Sequence, residues 1–158
     1  MDAAITLAKH VANTKYEDIP AEVLEVTKKE IVDILATTLG GSAAPGCREV
    51  VELVTEWEGR GQSTILVYGD RVPAPEAALA NATMGHALDY DDCHDPSAQH
   101  AGIAVIPACL AMAEKIGKIG GKEFMTAVVL GMDLSCRMAL AERPTNNLHH
   151  GGWWNTPL

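Results

Sequence analysis

The residues best suited to chemistry lie in one short segment, 86–107, with the sequence HALDYDDCHDPSAQHAGIAVIP. Between Asp89 and Asp95, five Asp or His side chains surround one thiol, Cys93, and His100 follows shortly after. The flanking tracts 74–85 and 101–113 are rich in Ala and nearly uncharged. Because an unpaired charge is costly in an apolar setting, such a cluster is either a solvated loop or a site with perturbed pKa values. We interpret it as a site.

Asp89 and His100 are the candidates for proton transfer. A helix is predicted over 76–91, and if it continues to Cys93 it would place His86, Asp89 and Cys93 on one face, because they are three and four positions apart. His100 precedes a second predicted helix, whose N-terminal N–H groups and dipole would favour an anion. A carboxylate ligand bound there, beside an acid/base His, would form a site for proton chemistry. We therefore expect His100 within a water-mediated contact of Asp89.

The remaining ionisable groups of the segment are interpreted as structural. Asp91, Asp92 and Asp95 fit helix capping or turn bonding, which are common roles of Asp. His86 is assigned to packing or to the surface. Cys93 is a poor nucleophile, because acidic neighbours raise the pKa of a thiol.

A metal site is the alternative use of the same residues. Asp, His and Cys in one loop could bind zinc or another divalent ion, with Asp89, His94 and His100 as ligands. The segment fails as an EF-hand, because its sixth position is His94 rather than Gly and its twelfth is His100 rather than Glu. The sequence also contains no HExxH motif. We therefore predict no metal ion.

Helices must position these residues, because the hydrophobic periodicity is helical along most of the chain. Helices are predicted at 3–14, from 20 to 39, around 50–57, at 76–91, at 103–116 and at 122–142. The only convincing strand is 63–68, STILVY, which we interpret as part of a short hairpin or a sheet edge. The fold class is therefore all-α, an irregular helical bundle forming a single domain over 1–158.

Composition and charge exclude several classes of protein. The net charge of −9 leaves no basic patch for nucleic acid. The apolar runs are short, so we expect no transmembrane helix, and no signal peptide is recognisable. Widely spaced cysteines without a CxxC motif indicate reduced thiols in a cytoplasmic protein. The two adjacent tryptophans near the end, Trp153 and Trp154, are costly to expose, which indicates a truncated chain or part of a larger assembly.

The chain resembles the MmgE/PrpD family in four motifs. These are Asn81-Ala-Thr, His86-Ala-Leu-Asp-Tyr-Asp-Asp-Cys-His, His100-Ala-Gly and Val105-Ile-Pro. The resemblance implies a helical large domain, a smaller α/β domain that this chain lacks, and a homodimer. It also implies cofactor-free acid/base chemistry on small polycarboxylates.

The resemblance extends to individual site residues. Asp89 and His100 match the family's active-site Asp and His, and Cys93 lies where Thr is common. Ala101 replaces a Pro of the family, and the loop between Cys93 and His100 is one residue longer than in the decarboxylases. With His94, Cys93 is assigned to substrate binding.

The C-terminal segment carries a second part of the resemblance. A Gly-aromatic-His-x-Thr pattern of the family aligns with residues 152–156, but Trp154 lies at the His position. Asn155 and Thr156 are assigned to substrate binding. His149 or His150 would replace the missing His only if the alignment shifts. Family members are considerably longer, and the part absent here holds their catalytic lysines.

The sequence therefore favours lyase-type acid/base chemistry, either dehydration or decarboxylation, on a small polycarboxylate such as 2-methylcitrate or cis-aconitate. We expect little activity from the 158 residues alone. An epimerase of a small amino- or iminodicarboxylate is an alternative on the same scaffold. Further alternatives are a non-catalytic helical subunit and a metal-dependent hydrolase. Expected partners are the substrate and either a second copy of the chain or a separate remainder, with no nucleic acid and no membrane.

Overall fold

The chain folds into a helical bundle with one small hairpin, described for residues 2–142 by a computed structural model. The helices are α1 (Ala3–Asn13), α2 (Ala21–Gly41), α3 (Cys47–Glu56), α4 (Ala74–His86), α5 (Ala101–Ile116) and α6 (Gly121–Glu142), with a short 3-10 turn at Tyr16–Asp18. The strands β1 (Ser63–Thr64) and β2 (Arg71–Val72) pair antiparallel. The predicted all-α class is confirmed.

Helix boundaries follow the local start and stop signals closely, with one exception. The side chain of Asp2 caps α1 by accepting a hydrogen bond from the Ala4 N–H (3.0 Å). Pro20 and Pro73 directly precede α2 and α4, where a missing N–H has no cost. The exception is the C-terminal end of α4, which we predicted at residue 91 and which lies at His86.

Continuing α4 past His86 would have an electrostatic cost. Asp89, Asp91 and Asp92 would lie in the last turn of the longer helix, at the negative end of its dipole. Instead the chain leaves the helix, and Asp89 adopts a left-handed conformation (φ 55°), which Asp tolerates better than most residues. The predicted shared helical face of His86, Asp89 and Cys93 is therefore wrong.

The hairpin is shorter than the predicted strand and is bound to the helices by polar side chains. Pairing is confined to two residues on each strand, so the remainder of 63–68 is a turn region. Buried Asn81 of α4 accepts from the Leu66 N–H (2.8 Å) and donates to the Thr64 carbonyl (3.0 Å). Ser63 Oγ donates to the Ala111 carbonyl of α5 (2.6 Å). The hairpin thus completes the core rather than starting a sheet.

The core consists of two apolar clusters on either side of α4 and α5. One unites α3, the hairpin and α4, with Val54, Ile65 and Met84 almost completely buried. The other joins α2, α5 and α6 through Ile34, Ile103, Ile106 and Val128. Both helices that flank the chemical segment are therefore fixed by packing.

Helix α6 carries a long apolar stretch. Residues Gly121–Ala141 reach a mean hydropathy of 1.5 and would pass for a membrane span by length and composition. Core helices of soluble proteins meet the same criteria when they are mostly buried; α6 contributes Val128 to the core, but only 22% of this stretch is buried within the described residues. Its composition is weak evidence for a membrane helix, and the expected absence of one stays a prediction.

Glycines let α2, α4 and α5 approach closely. A Cβ at Gly41 would overlap the backbone carbonyl oxygen of Met84 in α4. A Cβ at Gly85 would overlap Ile103 of α5 and come within 3.0 Å of Thr38 Oγ1. Because a backbone carbonyl cannot rotate away, the contact at Gly41 is the more restrictive of the two.

The substitution Gly41→Ala should destabilise the protein by about 1–3 kcal/mol, since α2 and α4 must separate to accept the methyl group. Its neighbour Gly40 is a matched control, because a Cβ there meets only Leu88 Cδ1 at 3.9 Å. Gly40→Ala should gain about 0.5–1 kcal/mol from helix propensity. Urea unfolding of the two variants measures both effects, and equal stabilities would contradict the close approach of α2 and α4.

Candidate functional site

The chemical segment forms a compact loop between α4 and α5. After Asp89, the chain makes an isolated antiparallel bridge between His94 and Gln99, with the His94 N–H donating to the Gln99 carbonyl (2.8 Å). A tight turn within this bridge is closed by Ser97 and Ala98, whose N–H groups donate to the His94 carbonyl. The loop therefore has defined backbone hydrogen bonds that return the chain to His100.

Asp92 caps the N-terminus of α5. Its carboxylate accepts hydrogen bonds from the N–H groups of Gly102 (2.8 Å) and Ile103 (3.2 Å). A Cβ at Gly102 would lie 2.7 Å from Asp92 Oδ1, so only glycine permits this approach. The predicted capping role of Asp92 is confirmed. The expectation that this helix end binds a ligand carboxylate is wrong at these two N–H groups, because the protein's own carboxylate occupies them.

The pKa of Asp92 shows how burial and hydrogen bonding compete. Burial raises the pKa of the Asp92 carboxyl above its ordinary value, and the neighbouring Asp91 adds to the effect. The N–H donors of Gly102 and Ile103 and the charge of His100 lower it. Burial outweighs these donors, so the charged form is less favourable in the folded protein than in the unfolded chain.

His100 and Asp89 lie close together, as expected from the sequence. His100 Nε2 is 3.7 Å from Asp89 Oδ1, which is beyond a normal hydrogen bond but within the distance of an ion pair. The His100 side chain is 19% exposed, whereas that of Asp89 is 65% exposed. Solvent screening therefore weakens this pair, although both groups remain accessible to a ligand.

A buried carboxylate, Asp91, contacts the other side of His100. The Asp91 side chain is 0% exposed, and its Oδ2 lies 3.2 Å from His100 Nδ1. Both Asp91 oxygens lie 3.0 Å from Nδ1 of His86. The two imidazole rings meet edge to face, with centroids 4.9 Å apart. The buried Asp91 thus joins two partly buried histidines in one polar cluster.

Sequence reasoning missed His86 and Asp91 as members of this cluster. The helical spacing that we used for residues 86–93 does not apply beyond the end of α4. Two signals were available: the adverse helix dipole, and the cost of three aspartates beside an apolar tract unless donors satisfy them. Both favour a loop in which one Asp turns inward.

The two other candidates on the loop have local partners. Cys93 is exposed, and its Sγ lies 3.7 Å from Asp95 Oδ1. Partial burial, together with the charge of Asp95, raises the pKa of the Cys93 thiol, as the sequence predicts. His94 directs Nδ1 to the Ser97 hydroxyl within the turn. Substrate binding by Cys93 and His94 stays a prediction.

The remaining site assignments lie outside the described residues. Asn155 and Thr156 belong to the segment after position 142, as do the alternatives His149 and His150. Their assignment to the site therefore stays a prediction.

A possible metal site is formed by a different set of residues from the Asp89, His94 and His100 that the sequence indicated. One ligand atom each from His86, Asp89, Asp91 and His100 lies within 4.8 Å of the others. Two imidazoles and two carboxylates are common donors for zinc and related divalent ions. His94, which the sequence placed in a metal set, is not part of this group in the described residues.

The fold and the site define a helical domain with a His–Asp pair on the loop between α4 and α5, and comparison with known proteins identifies its family. A model of the MmgE/PrpD N-terminal domain matches residues 5–158, so the chain belongs to the MmgE/PrpD family. It is similar to the cis-aconitate decarboxylase-like protein oryM of Aspergillus oryzae, with 28% identity over 96% of this chain and 33% of the relative. It is also similar to cis-aconitate decarboxylase of Aspergillus terreus, with 27% identity over 89% of this chain and 29% of the relative. The chain spans about a third of the length of these curated relatives.

Removing the cap of α5 should destabilise the fold. Asp92→Ala leaves the N–H groups of Gly102 and Ile103 without their acceptor, which should cost about 1–2 kcal/mol in the free energy of unfolding. Asp95→Ala, an exposed change of equal charge in the same loop, should cost less than about 0.5 kcal/mol. Urea unfolding at fixed pH compares the two.

The difference in unfolding free energy between wild type and Asp92→Ala should change with pH in one direction only. Because the folded-state pKa of Asp92 is raised, its contribution to stability is largest below the ordinary Asp pKa and is lost as the pH rises through the raised value. The gap between wild type and Asp92→Ala should therefore widen as the pH is lowered from neutral towards about 4, near the ordinary Asp pKa. A gap that narrows on acidification would contradict the dominance of burial.

Proposed function

We propose that this chain carries the proton-transfer part of a lyase that acts on a small polycarboxylate. The reaction would be dehydration or decarboxylation, with 2-methylcitrate and cis-aconitate as candidate substrates. The observation that carries the proposal is the contact between His100 Nε2 and Asp89 Oδ1 at 3.7 Å, on a loop fixed at both ends by helices. General acid–base groups need such positioning before their pKa values matter.

His100 would exchange protons with the substrate through Nε2. In a dehydration, His100 would remove a proton from the carbon next to a carboxylate, while the neighbouring carbon loses its hydroxyl group with a proton as water. In a decarboxylation, loss of carbon dioxide leaves an electron pair on carbon, and the imidazolium of His100 would protonate it. Asp89 would stabilise the imidazolium, because an opposite charge at this distance favours the protonated form.

The relatives support this choice of substrate class. Two of them are named cis-aconitate decarboxylase or cis-aconitate decarboxylase-like, which is consistent with a tricarboxylate and with loss of carbon dioxide. Substrate carboxylates need cationic partners. The family resemblance implies lysines in a region beyond this domain, so we propose that binding of the substrate's carboxylates depends on that region. A homodimer, a cytoplasmic location and the absence of a cofactor stay predictions.

Proton transfer by His100 is tested by His100→Ala in the longest protein that carries this sequence. Exchange of the substrate's carbon-bound hydrogens for deuterium, followed by proton NMR with 2-methylcitrate or cis-aconitate in heavy water, reports the proton step directly. The exchange rate should fall by about 10²–10⁴-fold, as expected on removal of a general acid–base group.

His10→Ala is the matched control. His10 lies outside the loop and pairs with Asp133 (3.0 Å), so the same substitution there should leave the exchange rate nearly unchanged. Circular dichroism should show that both variants keep the helical fold. If His100→Ala retained the wild-type exchange rate, the assignment of His100 would be wrong.

A metal-dependent reaction is the second candidate, because His86, Asp89, Asp91 and His100 could together hold a divalent ion. Elemental analysis of protein purified without chelators distinguishes a metal-dependent reaction from metal-free acid–base chemistry. About one equivalent of zinc, lost in His86→Ala, would favour the metal reaction. Far less than one equivalent, with deuterium exchange that resists chelators, would favour metal-free chemistry.

A further inference from the structure

Asp91 is the most enclosed carboxylate of the loop, since its side chain is 0% exposed. A buried carboxylate needs hydrogen-bond donors, because water cannot solvate it. His86 Nδ1 is within hydrogen-bond distance of both oxygens (3.0 Å), and His100 Nδ1 lies at ion-pair distance from Oδ2 (3.2 Å).

These contacts restrict the protonation of both rings. A carboxylate accepts hydrogen bonds and cannot donate one. Each Nδ1 that faces Asp91 must therefore carry a proton for the contact to be favourable. A neutral imidazole has one N–H group, so the lone pair of each neutral ring lies on Nε2. In His100, this is the atom that lies 3.7 Å from Asp89.

We propose that Asp91 is a positioning residue that holds His86 and His100 as Nδ1–H tautomers and thereby directs the basic Nε2 of His100 towards the reacting substrate. The catalytic part of this inference rests on the proposed function, whereas the tautomer assignment does not. Asp91 acts through the imidazole and does not touch the substrate.

Asp91 is better placed than Asp89 to orient His100. Asp91 lies 3.2 Å from its ring nitrogen and is fully buried, so the contact is shielded from solvent. Asp89 lies 3.7 Å from the other nitrogen and is largely exposed. We assign ring orientation to Asp91, and to Asp89 the stabilisation of positive charge at Nε2. This division changes the role that the sequence indicated for Asp89.

Asparagine at position 91 would break the arrangement without changing the size of the side chain. Its NH₂ group replaces one of the two oxygens, and because His86 Nδ1 faces both positions, at least one of the two rings meets an N–H donor in either orientation of the amide. The ring that receives this N–H must lose its Nδ1 proton, so its lone pair moves to Nδ1 and its proton to Nε2. One of His86 and His100 should therefore change tautomer in Asp91→Asn.

Long-range proton–nitrogen NMR of the ¹⁵N-histidine-labelled chain reads the tautomers directly. Spectra are recorded near pH 8, above the ordinary His pKa of about 6.5, and assigned with His86→Gln and His100→Gln. In the wild type, both rings should be Nδ1–H. In Asp91→Asn, one ring should become Nε2–H, while Asp95→Asn, an exposed change of equal charge in the same loop, should leave both rings unchanged.

Two outcomes would overturn the inference: an Nε2–H tautomer at either ring of the wild type, or no tautomer change in a folded Asp91→Asn. If Asp91→Asn fails to fold, the wild-type spectrum still decides, and His86→Gln should keep His100 as the Nδ1–H tautomer. In the deuterium-exchange assay, Asp91→Asn should lower the maximal rate by about 10²–10⁴-fold with little change in KM, as expected for a wrong tautomer. A wild-type exchange rate in His100→Ala would reject the catalytic role of His100 while leaving the tautomer result intact.

Discussion

The hydrogen bonds from the N-terminus of α5 to Asp92 are the constraint on which the site depends. They fix a point in the middle of the loop to a helix that is anchored in the core. Asp91 and Asp92 are adjacent in sequence but serve different donors, the imidazoles and the helix end. Two carboxylates can lie side by side in a protein of net charge −9 because each has its own donors, and their mutual repulsion still raises the pKa of Asp92.

Close helix packing supplies the second constraint. Gly41 lets α2 approach the last turn of α4, and Gly85 lets α5 approach the same turn. His86 directly follows this turn, so its position is set by backbone contacts rather than by a flexible side chain. On the other side of the loop, His100 is the residue that immediately precedes α5. The two histidines meet because their helices are held together next to the loop.

The sequence predicted the helices, the hairpin and the contact between His100 and Asp89. These follow from hydrophobic periodicity, from the start and stop signals of helices and strands, and from the family resemblance. It failed at the end of α4, because Gly85 precedes rather than follows the last helical residue, and the helix stops before the three aspartates and the left-handed Asp89. That single error hid Asp91. Whether a loop side chain points to the core or to solvent depends on backbone angles that residue propensities do not encode. An Asp that points to the core therefore has the same local sequence pattern as one that points to solvent.

The four side chains that lie close together at the site all come from one uninterrupted stretch of chain, residues 86–100. They are His86, Asp89, Asp91 and His100. Contacts between residues so near in sequence require little loop-closure entropy and form readily during folding. The cluster therefore does not have to wait for distant parts of the polypeptide to assemble. Because core packing fixes both flanking helices, a change confined to the loop would alter the spacing of these side chains without any change in the scaffold.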